Sequence, residues 1–329
     1  MDNYTPVKIV KYLRDGLVEQ EHLGFFVKVA ADGKDVFKFG DDKGYPYFLR
    51  SCAKPLQASL LIDYGIDEFY DMTSEEIALC CASHAGESCH AEVGKGLLKK
   101  IGIEESVLKC GLHKPISKSE QNKLLISGGK ENVFQNNCSG KHIMMVGLCK
   151  KMGWDLETYD EINHPLQIAI KNKIYELCQV NQDYPVTKDG CGVPIHAMPL
   201  ENMARGFVEL FMDARYFKIR NAFLENPYLI GGEDRLDTAI MSANKNLIAK
   251  VGAGGLCIVV NLEIKEGLII KVMDCDMKAR AIALIEALCQ LNWLDKIMLE
   301  HPLIKSQNKT DILTLHGEKI GTVRGTFNI

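Results

Sequence analysis

The clearest indication of fold in this chain lies at residues 247–274, which read LIAKVGAGGLCIVVNLEIKEGLIIKVMD. Valine and isoleucine are frequent in this segment, and β-branched residues favour strands. A glycine-rich break and the turn Lys265-Glu266-Gly267 divide the segment into shorter runs. Short connections of this kind join antiparallel strands. We therefore predict strands at Leu247–Gly252, Leu256–Ile264 and Leu268–Asp274.

The other end of the chain also has strand patterns. Gly24–Ala30 and Asp35–Gly40 flank the turn sequence Ala31-Asp32-Gly33-Lys34, which predicts a hairpin. Tyr47–Leu49 is a further short extended piece. The C-terminal tail, His316–Ile329, is expected to add a last strand. Strands are thus expected from both ends of the chain.

The middle of the chain has helical spacing instead. Lys54 opens a segment in which leucines recur on one side of a helix, and Thr73 and Glu76 form a capping box. A long amphipathic helix, Lys278–Trp293, follows the C-terminal strands. Further helices are predicted at Ala91–Ile101, Lys141–Met152, Leu166–Val180, Leu200–Met212 and Tyr216–Leu224.

The order of these elements predicts an α+β fold with an antiparallel sheet, because strands and helices are segregated and βαβ alternation is missing. We expect a single domain over residues 1–329. Its sheet is predicted to come from about residues 1–50 and 245–329, and its helical lobe from about residues 51–244.

Composition excludes several classes of protein. The net charge is −4, without the basic excess that a nucleic-acid-binding protein usually carries. No apolar run approaches the ~18 residues of a membrane span. The N-terminal sequence lacks the apolar stretch of a signal peptide, so we expect a cytoplasmic protein. The 12 cysteines include no C-x-x-C pair, which excludes a zinc ribbon.

The first candidate for chemistry is the S-x-x-K motif formed by Ser51 and Lys54. Residues three apart at the start of a helix share a face, and a lysine with a lowered pKa can activate a serine. The same spacing recurs elsewhere, for example at Ser127, where a helix end with a solvated lysine is the simpler interpretation. Ser51 differs because it follows a strand and opens an apolar helix.

Two polar segments are the next candidates. The segment C-A-S-H-A-G-E places Ser83 and His84 among small residues that would let a ligand approach the backbone. The segment N-N-C-S-G-K-H at residues 136–142 precedes an apolar helix, where free N–H groups suit a carboxylate. The first segment is also compatible with a C-terminal helix turn in which His84 interacts with the helix dipole, and the second with a capping loop.

A pair of loops and one strand complete the candidates. Asp189 lies in the glycine-rich sequence K-D-G-C-G-V-P and is suited either to binding an amine or to closing an Asx turn. Cys138 and Cys191 are the only cysteines in polar, glycine-rich loops, so they could share a zinc ion. Lys250, in K-V-G, resembles the strand lysine of β-lactamase-type sites but also fits a hairpin with a solvated lysine.

The order of these motifs is more specific than any one of them. R-S-x-A-K-P-L-Q, C-A-S-H-x-G-E, N-N-C-S-G-K-H, D-G-C-G-x-P, R-x-D-T and K-x-G-A-x-G follow one another along the chain. Together they resemble the rhizobial-type (class 3) L-asparaginases, from about Arg50 to the final helix. The resemblance implies a serine β-lactamase-like architecture and a homodimer that hydrolyses L-asparagine to aspartate and ammonia.

The resemblance also implies roles for individual residues. Ser51 with Lys54, and Ser83 with Lys250, would form two Ser–Lys pairs at one active site. A Zn²⁺ ion that supports substrate binding would be held by Cys138, Lys141 and Cys191. The substrate pocket is expected to contain Arg50, His84, Asn137, Lys141, His142, Asp189 and Gly190.

A mechanism follows from these residue types. Lys54 would take the proton of Ser51, which attacks the substrate amide, while backbone N–H groups stabilise the oxyanion. Asp189 would pair with the substrate ammonium group, and Arg50 or a neighbouring cation would hold its carboxylate. The sequence departs from the family pattern at Cys52, Asp234 and Gly254, where the family often has serine, glycine and glutamate.

Two other functions remain open at this point. A glutaminase, or another serine amidohydrolase on the same scaffold, differs from an asparaginase by as little as one methylene of substrate, worth ~1–3 kcal/mol in a pocket. A zinc-stabilised binding protein would use Cys138 and Cys191 for structure alone, and Ser51 would then have no chemical role.

Overall fold

The structure is a computed structural model that describes residues 4–33 and 35–329. The predicted hairpin is present, although Lys34 in its turn lies outside the described residues. The strands are β1 (Val7–Arg14), β2 (Leu17–Ala30), β3 (Val36–Phe39), β4 (Tyr47–Phe48), β5 (Val186–Lys188), β6 (Pro194–Met198), β7 (Leu247–Gly252), β8 (Leu256–Asn261), β9 (Glu266–Val272), β10 (Asp311–Leu313) and β11 (Lys319–Gly325).

The larger sheet is antiparallel and takes its strands from both ends of the chain. Within the described residues its order is β10-β11-β1-β2-β9-β8-β7, with β3 paired to β2. β2 and β9 join the two ends, with Phe26 opposite Ile270. β7, which carries Lys250, is an edge strand of this sheet. The predicted antiparallel sheet is therefore confirmed.

Helices fill the middle of the chain and cover the sheet. They are α1 (Ala53–Asp63), α2 (Ile66–Phe69), α3 (Ser74–Cys80), α4 (Ser88–Ile101), α5 (Lys118–Ser127), α6 (Ser139–Met152), α7 (Pro165–Leu177), α8 (Leu200–Met212), α9 (Phe217–Glu225), α10 (Pro227–Ile230), α11 (Leu236–Ala243), α12 (Met277–Gln290), α13 (Lys296–Leu299) and α14 (Pro302–Gln307). Thr73 and Glu76 form the predicted capping box at α3. α8 and α12 pack on β8 and α11 packs on β7, so every residue of β7 and β8 is buried.

The core is continuous between the sheet and the helices. Buried side chains of β2, β8 and β9 meet those of α8 and α12, and the same cluster extends through α1, α3 and α6. α6 approaches α3 closely because Gly140 has no side chain, and a Cβ there would collide with the backbone oxygen of Leu79. This approach brings the start of α6 next to the end of α3.

Several elements have no counterpart among the sequence predictions. Residues 51–244 also contain β5 and β6, which form a small sheet with β4. α5 was not predicted because its apolar residues do not face one side, and Leu125 and Ile126 are exposed. β6 is a fully buried run of five residues, too short to show a period.

Candidate active site

Ser51 lies on a 3₁₀ turn, Arg50–Cys52, between β4 and α1. Arg50 has a φ of +49°, in the left-handed region that is strained for a residue other than glycine. β7 approaches this turn because Gly252 has no side chain, and a Cβ there would lie 2.9 Å from Cys52 Sγ. The predicted S-x-x-K helix and the K-x-G strand therefore lie against each other.

Lys54 is buried one helical turn after Ser51. Its Nζ donates to the backbone oxygens of Ala82 and Asn137, at 2.6 Å each. Burial lowers the pKa of Lys54 to about 8; the Cys138 thiol opposes this effect, and the positive charges of Lys141 and Lys250 add to it. No carboxylate of the described residues pairs with this lysine. Its ammonium group therefore loses its proton more easily than that of an exposed lysine.

The second predicted pair is Ser83 and Lys250. Ser83 lines a cavity together with Ser51, and Lys250 lies on β7. Asn137 donates through Nδ2 to Ser83 Oγ at 3.2 Å. Lys250 Nζ lies 3.3 Å from Asp237 Oδ2, and both side chains are completely buried. Burial raises the pKa of Asp237, but the charges of Lys250 and Arg235 outweigh it and leave the pKa below its ordinary value. Lys250 is thus paired with a carboxylate, unlike Lys54.

Cys138 and Cys191 meet beside Lys54, and both are buried. A hydrogen bond from Cys191, with the charges of Lys54 and Lys141, holds the pKa of Cys138 well below its ordinary value. Lys141 Nζ donates to Cys191 Sγ at 3.0 Å. The structure therefore brings together the three residues of the predicted zinc site. Within the described ranges no group of three His, Cys, Asp or Glu side chains is placed to bind a metal.

A cavity of about 220 Å³ opens on one side of Ser51. Arg50 Nε donates to Asp189 Oδ1 at 2.9 Å, and the backbone N–H of Gly190 donates to the same oxygen at 2.9 Å. Burial raises the pKa of Asp189, but the charges of Lys141 and Arg50 and this N–H group leave it below its ordinary value. The cavity therefore presents both a carboxylate and a guanidinium group to a ligand. It is also lined by Asn137, Cys138, Cys191 and Ala253.

A second cavity, of about 300 Å³, lies on the other side of Ser51. Ser83, Arg235 and Arg280 are among its lining residues. Ser51, Asn137 and Ala253 line both cavities. The serine predicted to be the nucleophile is therefore accessible from two spaces of different charge.

A comparison with protein-family models found a match that covers nearly the whole chain. The family model for L-asparaginase II matches residues 10–325. The chain belongs to the L-asparaginase II family. A search of curated proteins found none that matches it. The family is one of amidohydrolases, so this member is expected to act on a small molecule.

Two residues predicted to bind substrate lie behind the cavities of this family member. His84 is fully buried, accepts from the N–H of Gly86 through Nδ1, and lies 3.0 Å from Ser139 Oγ through Nε2. His142 is also fully buried, with Nδ1 2.6 Å from Tyr159 Oη. Burial lowers the pKa of both imidazoles well below the ordinary value. His84 therefore joins the segments around Ser83 and Cys138, whereas His142 joins α6 to Tyr159.

Asp237 and His113 are among the site residues of this asparaginase II chain to which the sequence motifs assign no role, as are Arg235 and Arg280. Asp237 is the aspartate of the R-x-D-T motif, which was recognised without a role for that carboxylate. His113 accepts from the backbone N–H of Asn137 at 3.0 Å and lines the smaller cavity. No motif surrounds His113, so no local sequence signal could have indicated it.

The three departures from the family pattern are accommodated. Cys52 is buried, and its Sγ donates to the Lys250 backbone oxygen at 3.4 Å. Asp234 has a φ of +55°, a conformation that glycine adopts without strain. Gly254 lines the larger cavity, so a glutamate there would bring a carboxylate close to it.

None of the helices formed by the described residues combines the length and the apolar composition that a membrane span requires.

Proposed function

We propose that this protein is an L-asparaginase that hydrolyses the side-chain amide of L-asparagine to aspartate and ammonia. One observation carries the proposal. Ser51 faces a cavity that contains Asp189 and Arg50, and Lys54 lies one helical turn away, donates to two backbone oxygens and pairs with no described carboxylate. A zwitterionic amino acid requires both charges, and a serine nucleophile requires a base.

The first step is attack by Ser51 on the amide carbon. Neutral Lys54 accepts the hydroxyl proton as the new C–O bond forms. The negative charge that develops on the amide oxygen requires N–H donors. We assign this role to the backbone N–H groups of Ser51 and Ala253, because both residues line the two cavities.

The second step is departure of ammonia. Lys250, whose Nζ lies 3.3 Å from Asp237 Oδ2, would supply a proton through the hydroxyl of Ser83 to the leaving nitrogen. The C–N bond then breaks, and Ser51 is left as an ester. Water attacks the ester and gives a proton through Ser83 to Lys250, Lys54 returns its proton to Ser51 as the C–O bond to Ser51 breaks, and aspartate is released.

The substrate is oriented by its charged groups. Asp189 pairs with the ammonium group of asparagine. The Nε of Arg50 is occupied by Asp189, so its terminal N–H groups remain to hold the carboxylate. Together these contacts place the amide at Ser51, the shared wall of the two cavities.

The side chains around Cys138 suit a zinc ion. Two sulfur ligands and a nitrogen ligand are a zinc-preferring set, and three protein ligands leave a position open. Cys138, Cys191 and Lys141 would hold the ion, and Lys141 would have to lose a proton to do so. When bound, the ion would act as a Lewis acid next to the substrate.

We further propose that the chain is a single domain with the serine β-lactamase-like arrangement, and that it forms a homodimer. The edge strand with Lys250, packed on the turn before the Ser51 helix, supports that arrangement. All 12 cysteines are free, as is usual in the reducing cytosol, which supports a cytoplasmic location.

The test is ammonia release from L-asparagine, with L-glutamine as the competing substrate. We expect Ser51→Ala and Ser83→Ala to lose nearly all turnover. Ser127→Ala removes a serine from another S-x-x-K sequence and should leave turnover unchanged, which makes it the matched control. Turnover that survives Ser51→Ala would refute the nucleophile assignment. A preference for glutamine would make the protein a glutaminase.

A further inference from the structure

The larger cavity beside Ser51 carries two positive charges and no carboxylate among the described residues that line it. These charges belong to Arg235 and Arg280. Neither guanidinium group is paired with a carboxylate of the described chain. Asp237, a buried carboxylate near Arg235, is paired with Lys250. Two unpaired cations in one confined space favour an anionic ligand.

Both guanidinium groups are held in place from behind by backbone oxygens. Arg235 Nη2 donates to the Ser83 oxygen at 3.2 Å. Arg280 Nη1 donates to the oxygens of Gly252 and Leu256, at 2.9 and 3.1 Å. The Nε atoms of both arginines are buried without a partner in the described chain. Nη1 of Arg235 and Nη2 of Arg280 also donate to no described residue, so each side chain has free N–H groups.

The position of this cavity relative to Ser51 indicates which part of a substrate it would receive. The smaller cavity contains Asp189 and Arg50 and suits the amino-acid head of asparagine. With the head on that side of Ser51, the nitrogen of the scissile amide points towards the larger cavity. A space of about 300 Å³ is far larger than ammonia requires.

The larger cavity continues outwards through a third one. A space of about 480 Å³ shares Arg235, Met277 and Arg280 with it. The outer space is lined by Asp234 and by three lysines, which are Lys118, Lys278 and Lys309. The excess of positive charge along this route would attract an anionic group towards Ser51.

We propose that the protein also hydrolyses N-substituted asparagines in which the leaving amine carries a carboxylate, of which β-aspartyl-glycine is the simplest. Arg235 and Arg280 would bind that carboxylate in the larger cavity. This inference rests on the proposed function, because it uses the same nucleophile and the same site for the aspartyl head.

The chemistry is the same acyl transfer with a larger leaving group. Ser51 Oγ bonds to the side-chain carbonyl carbon, its proton passes to Lys54, and the C–N bond to glycine breaks. Ser83 gives the departing nitrogen a proton from Lys250, so that glycine leaves as a neutral amine. Water hydrolyses the aspartyl ester and restores the hydroxyl of Ser51. Water is the only co-reactant.

The test compares two matched substrates that differ in one charge. β-Aspartyl-glycine has the carboxylate, and β-aspartyl-glycinamide lacks it. Release of free aspartate from each gives its kcat/KM. We expect the charged substrate to be preferred roughly tenfold or more, since a hydrogen bond to a charged group contributes that much. This comparison uses the unaltered protein and does not depend on any variant folding.

A variant then tests the residue assignment. Arg280→Gln should bring the ratio of the two kcat/KM values close to one. General damage to the fold would lower both kcat/KM values equally and leave their ratio unchanged. Arg220→Gln is the matched control, because Arg220 Nη1 also donates to a backbone oxygen, that of Phe211, and lies outside the lining of these cavities. Its preference should match that of the unaltered protein. A preference that Arg280→Gln leaves intact would overturn the assignment.

The failure of this inference is distinguishable from that of the proposed function. Turnover of asparagine with both dipeptides inert, or cleaved at equal rates, overturns the inference alone. Charge-dependent cleavage of the dipeptide with inert asparagine supports the inference and overturns the asparaginase proposal. If all three compounds are inert, both are overturned.

Discussion

The active site contains two fully buried lysines in contrasting surroundings. Lys54 donates to two backbone oxygens and pairs with no described carboxylate. Lys250 lies 3.3 Å from the carboxylate of Asp237. Burial disfavours a charged amine and lowers the pKa of Lys54 to about 8, even though the neighbouring Cys138 thiol acts in the opposite direction. Lys54 is therefore suited to accept a proton as a base, whereas Lys250 lies in an ion pair with Asp237.

This difference shows how one chain makes a base and an acid from the same residue type. Both side chains are lysines on regular elements, one on α1 and one on β7. The two lysines differ in the groups that pack against their amines. Lys54 faces the turn at Ala82 and the loop at Asn137, whereas Lys250 faces α11.

The largest effect is expected for Lys54→Met. Without a base, Ser51 stays protonated, so kcat/KM for asparagine should fall by about 10²–10⁴. The fold should persist, because methionine fills the space and no carboxylate loses its partner. Steady-state ammonia release and thermal unfolding measure the two quantities. If kcat/KM falls less than about tenfold, another group is the base.

The next largest effect is expected on the free energy of unfolding, and it involves the ion pair between Lys250 and Asp237. Asp237→Asn leaves Lys250 as an uncompensated buried charge, so the free energy of unfolding should fall by ~3–5 kcal/mol. The double variant Asp237→Asn with Lys250→Met removes both charges and should recover most of that loss. Denaturant unfolding of the three proteins measures it. Equal losses in the single and double variants would show that the pair is not coupled.

The same pair predicts how stability changes in acid. The pKa of Asp237 in the folded protein lies below its ordinary value. Its contribution to stability is therefore complete above the unfolded pKa of about 4 and is lost as the pH falls through the lower folded value. Acid unfolding curves should show this loss in the unaltered protein and not in Asp237→Asn. Identical curves would contradict it.

A smaller effect on kcat is expected for a change at Asn137, which contacts both Lys54 and Ser83. Asn137 donates to Ser83 through its side chain, while its backbone oxygen accepts from Lys54. Asn137→Ala removes only the side-chain contact, so Ser83 loses its orientation and Lys54 does not. A neutral hydrogen bond is worth ~1 kcal/mol, so kcat should fall roughly five- to tenfold. A loss as large as that of Lys54→Met would mean that the two environments are not separate.

The smallest effect is expected for removal of metal. The third buried lysine, Lys141, lies 3.0 Å from Cys191 Sγ. If zinc binds there in support of substrate binding, chelation should raise KM several-fold with little change in kcat, and added zinc should restore it. Cys191→Ser should lose bound zinc by metal analysis. Unchanged KM in a metal-free preparation would remove zinc from the proposal.

Sequence patterns predict the elements of this fold best where pattern and chemistry are local. The strands β7, β8 and β9 follow from β-branched runs separated by turns, and the capping box at α3 follows from two residues three apart. The patterns fail at α5, whose apolar residues are exposed, and at β6, which is too short to show a period. Those elements are stabilised by neighbours that lie far away in sequence.

The order of motifs along the chain already predicted the family, because each motif is a short run whose residue types are set by its own chemistry. Which lysine lacks a carboxylate depended on the fold, since Asp237 meets Lys250, and Lys54 meets Ala82, only after α11, β7 and α1 have packed. The two arginines beside Ser83 likewise became neighbours only through that packing. Proton affinity and charge in a buried site depend on contacts between distant segments, and local sequence does not record them.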